Sequence, residues 1–80
     1  MTITVQIFAR ARELAGAGEA ILALNDGTTV GELRTALAER FPLRELLAVS
    51  RIAVNHEFAA DSIVLRESDE VAVIPPVSGG

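Results

Sequence analysis

Val71-Ala72-Val73-Ile74 is the stretch that most restricts how this chain can fold. Four apolar residues, two of them valine and one isoleucine, stand between the polar run Glu67-Ser68-Asp69-Glu70 and the pair Pro75-Pro76. The run is too short for a helix and rich in β-branched residues, so it reads as a strand. Side chains alternate along a strand, so this one is apolar on both faces and belongs in the middle of a sheet. Its neighbours must come from earlier residues. The chain has 80 residues, enough for one domain that buries roughly 60% of its unfolded surface, so the core has little margin. The expected division is a folded domain over 1–76 and a flexible tail over 77–80.

The rest of the chain supplies the neighbours. Thr2 to Phe8 alternates, with Ile3, Val5 and Ile7 on one face and Thr2, Thr4 and Gln6 on the other, as in a strand with one face on a core. Phe8 puts an aromatic ring on the polar side; it is either a contact for a partner or a side chain shielded by the next segment. Ala9 to Ala15 is rich in helix formers and stops at Gly16. Glu19 to Leu24 is a second strand. Its connection to the first is too short for a full crossover, so the two pair antiparallel. Asn25-Asp26-Gly27 is turn chemistry, and Thr29-Val30-Gly31-Glu32 reads as a capping box. Val30, Leu33, Leu37 and Phe41 then recur at helical spacing until Pro42, which predicts the main helix, about three turns lying across the sheet. Leu43 to Val49 adds a short helical turn. Arg51 to Val54 is a third strand ended by Asn55-His56-Glu57, Phe58 begins a brief pairing, and Ser62 to Leu65 reads as irregular or a short turn. The last strand lies beside the first and parallel to it. This order predicts an α+β fold of the β-grasp (ubiquitin-like) kind: a mixed sheet of four to five strands crossed by one main helix.

Composition removes several function classes. With no cysteine there is no disulfide, thiolate metal site or cysteine nucleophile. No apolar run approaches the ~20 residues that span a bilayer, and Met1-Thr2-Ile3-Thr4 lacks the layout of a signal peptide. A cytoplasmic protein with no membrane partner is expected. The net charge of −4, without a basic cluster, argues against nucleic acid and suits a partner with a basic docking face. All seven basic residues are arginine. Lysine is absent either through the compositional bias of a GC-rich genome or because an activated acyl end would otherwise modify the chain's own amines.

His56, the only histidine, reads as a solvated turn residue without a partner set for catalysis. Asp61, Asp69 and Glu70 lack the spacing of a calcium loop, so no metal site is expected. The serines have no base, and the glycines follow no phosphate-loop pattern. Nothing here resembles a self-contained enzyme with its own catalytic acid or base. The end of the chain is more informative. Pro75-Pro76 stiffens the exit and removes two amide donors. Val77 and Ser78 follow, then Gly79-Gly80. A diglycine end is either frayed or a slender lead that carries a terminal carboxylate into another protein's active site, each residue adding about 3.3–3.6 Å of reach.

Asp69-Glu70-Val71-Ala72-Val73-Ile74-Pro75-Pro76-Val77-Ser78-Gly79-Gly80 resembles the ending of the MoaD-type sulfur carriers, the small subunits of molybdopterin synthase in molybdenum cofactor biosynthesis. Phe8-Ala9, Arg12-Glu13-Leu14-Ala15-Gly16 and Val54-Asn55 resemble further family positions, so the likeness spans essentially the whole chain. The resemblance implies a subunit of a sulfurtransferase. An activating enzyme would use ATP to adenylate the Gly80 carboxylate, sulfur transfer would turn the acyl-adenylate into a thiocarboxylate, and the tail would deliver that sulfur to a cyclic pyranopterin precursor in the large subunit. It also implies no bound cofactor and a heterotetramer of two small and two large subunits. Gly79 and Gly80 would form the reactive end, with Phe8, Ile74, Pro75, Pro76, Val77 and Ser78 meeting the partner. A carrier of another pathway, such as thiamine synthesis, and a β-grasp interaction module with an inert tail are the alternatives.

Overall fold

In the computed structural model, which describes residues 1–77, the chain forms β1 (Thr2–Ile7), α1 (Ala9–Ala15), β2 (Glu19–Ala23), α2 (Val30–Arg40), α3 (Arg44–Val49), β3 (Arg51–Val54), β4 (Glu57–Phe58) and β5 (Glu70–Ile74). The strands build one five-stranded sheet in the order β2-β1-β5-β3-β4. β5 therefore takes the centre, as its two apolar faces require. It runs parallel to β1, with Val5 opposite Val71 and Ile7 opposite Val73, and antiparallel to β3, with Ile52 opposite Val73. β1 and β2 form the expected antiparallel pair. This is the β-grasp arrangement.

The core lies between one face of the sheet and the helices. Ile3, Val5 and Ile7 of β1, Ile52 of β3 and Val71 and Val73 of β5 are buried against Val30, Leu33 and Leu37 of α2 and Leu47 of α3. The helical stripe that predicts α2 is thus its buried side, with Phe41 at the C-cap and partly buried. At the N-terminus of α2 the Thr29 hydroxyl accepts the Glu32 N–H at 3.2 Å and the Glu32 carboxylate accepts the Thr29 N–H at 3.0 Å. The capping box satisfies two otherwise unpaired amides. Gly31 lets the helix start pass close to a loop: its N–H donates to the Asp61 carbonyl at 2.9 Å, and a Cβ there would stand 3.1 Å from the Asp61 Cβ.

Two local readings are refined. β1 ends at Ile7 rather than Phe8, because Ala9 takes a left-handed φ of +52° and the chain turns there into α1. Phe8 becomes the extended N-cap residue of that helix. The segment from Ser62 to Leu65 leaves a short turn, in which the Ile63 N–H donates to the Ala60 carbonyl at 3.1 Å, and then pairs beyond it. Val64 bridges Thr29, the Leu65 N–H donates to the Thr28 carbonyl at 2.8 Å, and Leu65 is buried in the core. That single apolar residue plugs the gap beside the N-terminus of α2, something no periodicity in a four-residue segment can reveal.

Candidate functional site

The face of the sheet away from the helices carries a groove of about 360 Å³. Its floor follows from strand register. Gln6, Ala72, Ala53 and Phe58 stand in one row across β1, β5, β3 and β4. In the next row Arg51 is opposite Ile74, and Phe8 follows Ile7, which pairs with Val73. The two alanines leave space between larger neighbours, so Phe8 and Ile74 wall one side and Phe58 the other. Phe8 is 46% exposed and Phe58 is 53% exposed. An 80-residue chain that leaves two of its three phenylalanines this open, around one apolar groove, presents a docking surface rather than a defect of packing.

Polar groups edge the groove. His56 Nε2 lies 3.1 Å from the Glu70 carboxylate, and the Gln6 amide donates to Glu19 at 2.9 Å. The Arg51 guanidinium stacks over the Phe58 ring, 3.5 Å from its centroid. A second set of bonds fixes the hairpin that carries Phe58. Asn55 and His56 form its two-residue turn, both at positive φ (+51° and +69°), as a type I′ hairpin requires. The Asn55 N–H donates to the Glu70 carbonyl at 2.7 Å, and its side-chain oxygen accepts the Glu70 N–H at 2.9 Å. Its amide nitrogen donates to Asp69 at 2.9 Å, while Asp69 also accepts the Arg66 N–H at 2.7 Å. Asn55 therefore welds the hairpin to the start of β5 and holds both walls of the groove in register.

The chain leaves the sheet at the rim of this groove. Ile74 lines it, Pro76 is exposed, and Val77 is 94% exposed. The structure thus brings Phe8 and Ile74 together in the groove, with Pro76 and Val77 exposed just beyond Ile74 in the chain. Pro75, predicted with them, is buried in the free chain. Ser78, Gly79 and Gly80, predicted as the last contact and the reactive end, lie outside the described residues. Sequence reasoning missed Phe58, Ala53, Ala72 and Arg51 as members of the surface. The signal was present in part: a two-residue turn at Asn55-His56 places Phe58 directly opposite Ala53.

The discarded centres stay apart. The His56 side chain is 88% exposed and pairs with Glu70. Asp61 pairs with Arg34 at 3.0 Å, and Asp69 serves the Asn55 turn. Among the described residues no group of three acidic or histidine side chains could hold a metal ion, and no helix is long and apolar enough to cross a membrane.

Comparison with known proteins adds a third line of observation. A family model described as the ThiS family matches residues 5–80. The molybdopterin synthase sulfur carrier subunit of Arabidopsis thaliana is 40% identical over 79 residues, covering 98% of this chain and 82% of that one. A crystal structure of the small archaeal modifier protein 1 of H. volcanii superposes with a TM-score of 0.85 at 27% identity, over 95% of this chain and 98% of that chain. A chain in the complex of subunits 1 and 2 of the molybdopterin-converting factor from Helicobacter pylori superposes with a TM-score of 0.73 at 27% identity, over the full length of both chains.

Proposed function

This chain belongs to the ThiS family, and from that premise we propose that it is the sulfur carrier subunit of a molybdopterin synthase, with Gly80 as the residue that bears the sulfur. One observation carries the reading: Ile74, the last residue before the chain leaves the sheet, lines an exposed apolar groove. A carrier needs that juxtaposition. The groove docks the body, and docking aims the last residues in a single direction. Converting a freely diffusing end into one delivered at a fixed place removes much of the entropic barrier to reaction. The full-length likeness to a sulfur carrier subunit and to one partner of a two-subunit complex supports the same assignment.

The chemistry follows from the end group. A carboxylate is a poor electrophile. Attack of the Gly80 carboxylate on the α-phosphate of ATP, in an activating enzyme, releases pyrophosphate and leaves an acyl-adenylate with a good leaving group. Hydrosulfide displaces AMP and leaves the thiocarboxylate directly; a persulfide donor instead displaces AMP to give an acyl disulfide, which a thiol cleaves by attack on the donor's sulfur, releasing the thiocarboxylate and forming a disulfide. Its sulfur is a softer and better nucleophile than a carboxylate oxygen, and it attacks a carbon of the cyclic pyranopterin precursor in the large subunit. Hydrolysis of the new acyl–sulfur bond leaves the sulfur on the pterin and returns Gly80 as a carboxylate; two such transfers build the dithiolene. Glycine at both final positions gives the end no side chain to obstruct a narrow channel. In this reading the catalytic acids and cations sit on the partners, two small and two large subunits assemble, and the chain works in the cytoplasm without a cofactor of its own.

The test is intact mass spectrometry after incubation with a cognate activating enzyme, ATP and a sulfur source, followed by addition of the large subunit and the pterin precursor. The expected result is replacement of one terminal oxygen by sulfur, then loss of that sulfur as the dithiolene product appears. A chain whose mass never changes is an inert module, and a thiocarboxylate that forms but transfers only to a thiazole precursor makes it a thiamine-type carrier. Either result sinks the assignment.

A further inference from the structure

Arg51 is an unusual side chain for the edge of an apolar groove. Three arginines of the fold have partners: Arg34 donates to the Leu47 and Ser50 carbonyls and pairs with Asp61, Arg40 donates to the Ile21 carbonyl at 2.7 Å, and Arg10 pairs with Glu13. The side chains of Arg12, Arg44 and Arg66 have none among the described residues, so it is the close aromatic stack that sets Arg51 apart. Among the described residues the Arg51 guanidinium forms no ion pair or hydrogen bond; its one specific contact is the Phe58 ring beneath it. Stacking uses the face of the guanidinium and leaves the donors in its plane available. The ring also limits where the group can go, so little freedom remains to be lost when an acceptor arrives. Its position is as specific as its pose. Arg51 stands opposite Ile74 in the sheet, beside the point where the chain turns into Pro75-Pro76.

Resting on the carrier reading above, we propose that Arg51, held flat on Phe58, is a specificity-determining contact of the docking face that receives a carboxylate of the large subunit. A carboxylate matches the planar fork of donors in two parallel hydrogen bonds, which a lone carbonyl does not. The charge of the carrier gives the contact its selectivity. This chain is acidic, at −4, so a partner with a uniformly basic surface would gain from the acidic loops yet be repelled at the rim of the groove. A partner with an acidic side chain at that one place satisfies both. Contacts of this kind choose the partner and set its register more than they add raw affinity.

The experiment measures the dissociation constant of the carrier and the large subunit at low and at physiological ionic strength, for wild type, Arg51→Leu, Arg51→Lys and Arg51→Glu. Arg51 is exposed, and thermal melting checks that each variant is folded. Expected are a weakening on the order of tenfold for Arg51→Glu at low salt, a smaller loss and a flatter salt dependence for Arg51→Leu, and partial retention for Arg51→Lys, which keeps the charge without the fork. An Asp or Glu to Lys substitution in the large subunit that restores binding to Arg51→Glu identifies the acceptor. Wild type and Arg51→Leu binding equally well, with the same salt dependence, overturns the proposal and leaves the carrier reading standing. Variants that change only self-association of the carrier overturn it in favour of a second copy as the occupant. No binding by wild type overturns both readings.

Discussion

Truncating Phe8 to alanine probes the docking face at the residue where β1 hands over to α1. The side chain is 46% exposed in the free carrier. A phenylalanine carries about 200 Å² of burial, so complete coverage by a partner removes roughly 90 Å² more from water, worth about 2 kcal/mol at ~25 cal/mol/Å². Loss of that term raises the dissociation constant for the large subunit about 30-fold. The covered half contributes a similar amount to folding, about 2 kcal/mol, against roughly 4–12 kcal/mol for a domain of this length, so the variant stays folded at 25 °C. Isothermal titration against the large subunit, with urea unfolding of the same preparations, separates the two effects. Phe58→Ala, at 53% exposed on the opposite wall, should weaken binding comparably. Folded variants of both residues that bind within threefold of wild type would refute the placement of the interface on this face.

Three further outcomes concern the scaffold that holds the surface. Leu33→Ala empties a fully buried site in α2 and should cost about 2–5 kcal/mol in urea unfolding. Asn55→Ala puts alanine at φ +51° and strands the Glu70 N–H; a loss of about 2–3 kcal/mol is expected, with Asn55→Gly recovering the backbone share. Gly31→Ala forces a Cβ to 3.1 Å from the Asp61 Cβ and 3.3 Å from its carbonyl oxygen. It should destabilise the chain by about 1–3 kcal/mol, read as a fall in melting temperature of roughly 4–8 °C per kcal/mol.

The backbone of the fold was legible where local chemistry and global need coincide. Val71 to Ile74 has no polar face, so its central place follows from its residues alone. Thr29 and Glu32 announce the start of α2, and Pro42 follows directly on its C-cap, Phe41, because caps and prolines act over one turn. Features that depend on register were harder to see. Phe58 reads as the end of a short strand until β3 is set against β5, which brings it into a row with Ala53 and Ala72. Arg34 falls off the apolar stripe and looks like a surface charge, yet its guanidinium reaches two carbonyls at the end of α3. Leu65 looks like a loop residue because its partners are distant in sequence. The burial of Pro75 was hidden for a related reason: a proline after a strand marks a change of direction, but only the packing around it decides whether it faces water.

The parallel pairing of β1 with β5 joins Phe8 to Ile74, side chains separated by nearly the full span of the sequence. β5 sits between β1 and β3, so without it the sheet is split and the groove has neither its Ala72 floor nor its Ile74 wall. A copy in which β5 is unpaired therefore lacks the surface a client would grip, and the integrity of the fold becomes a condition of engagement.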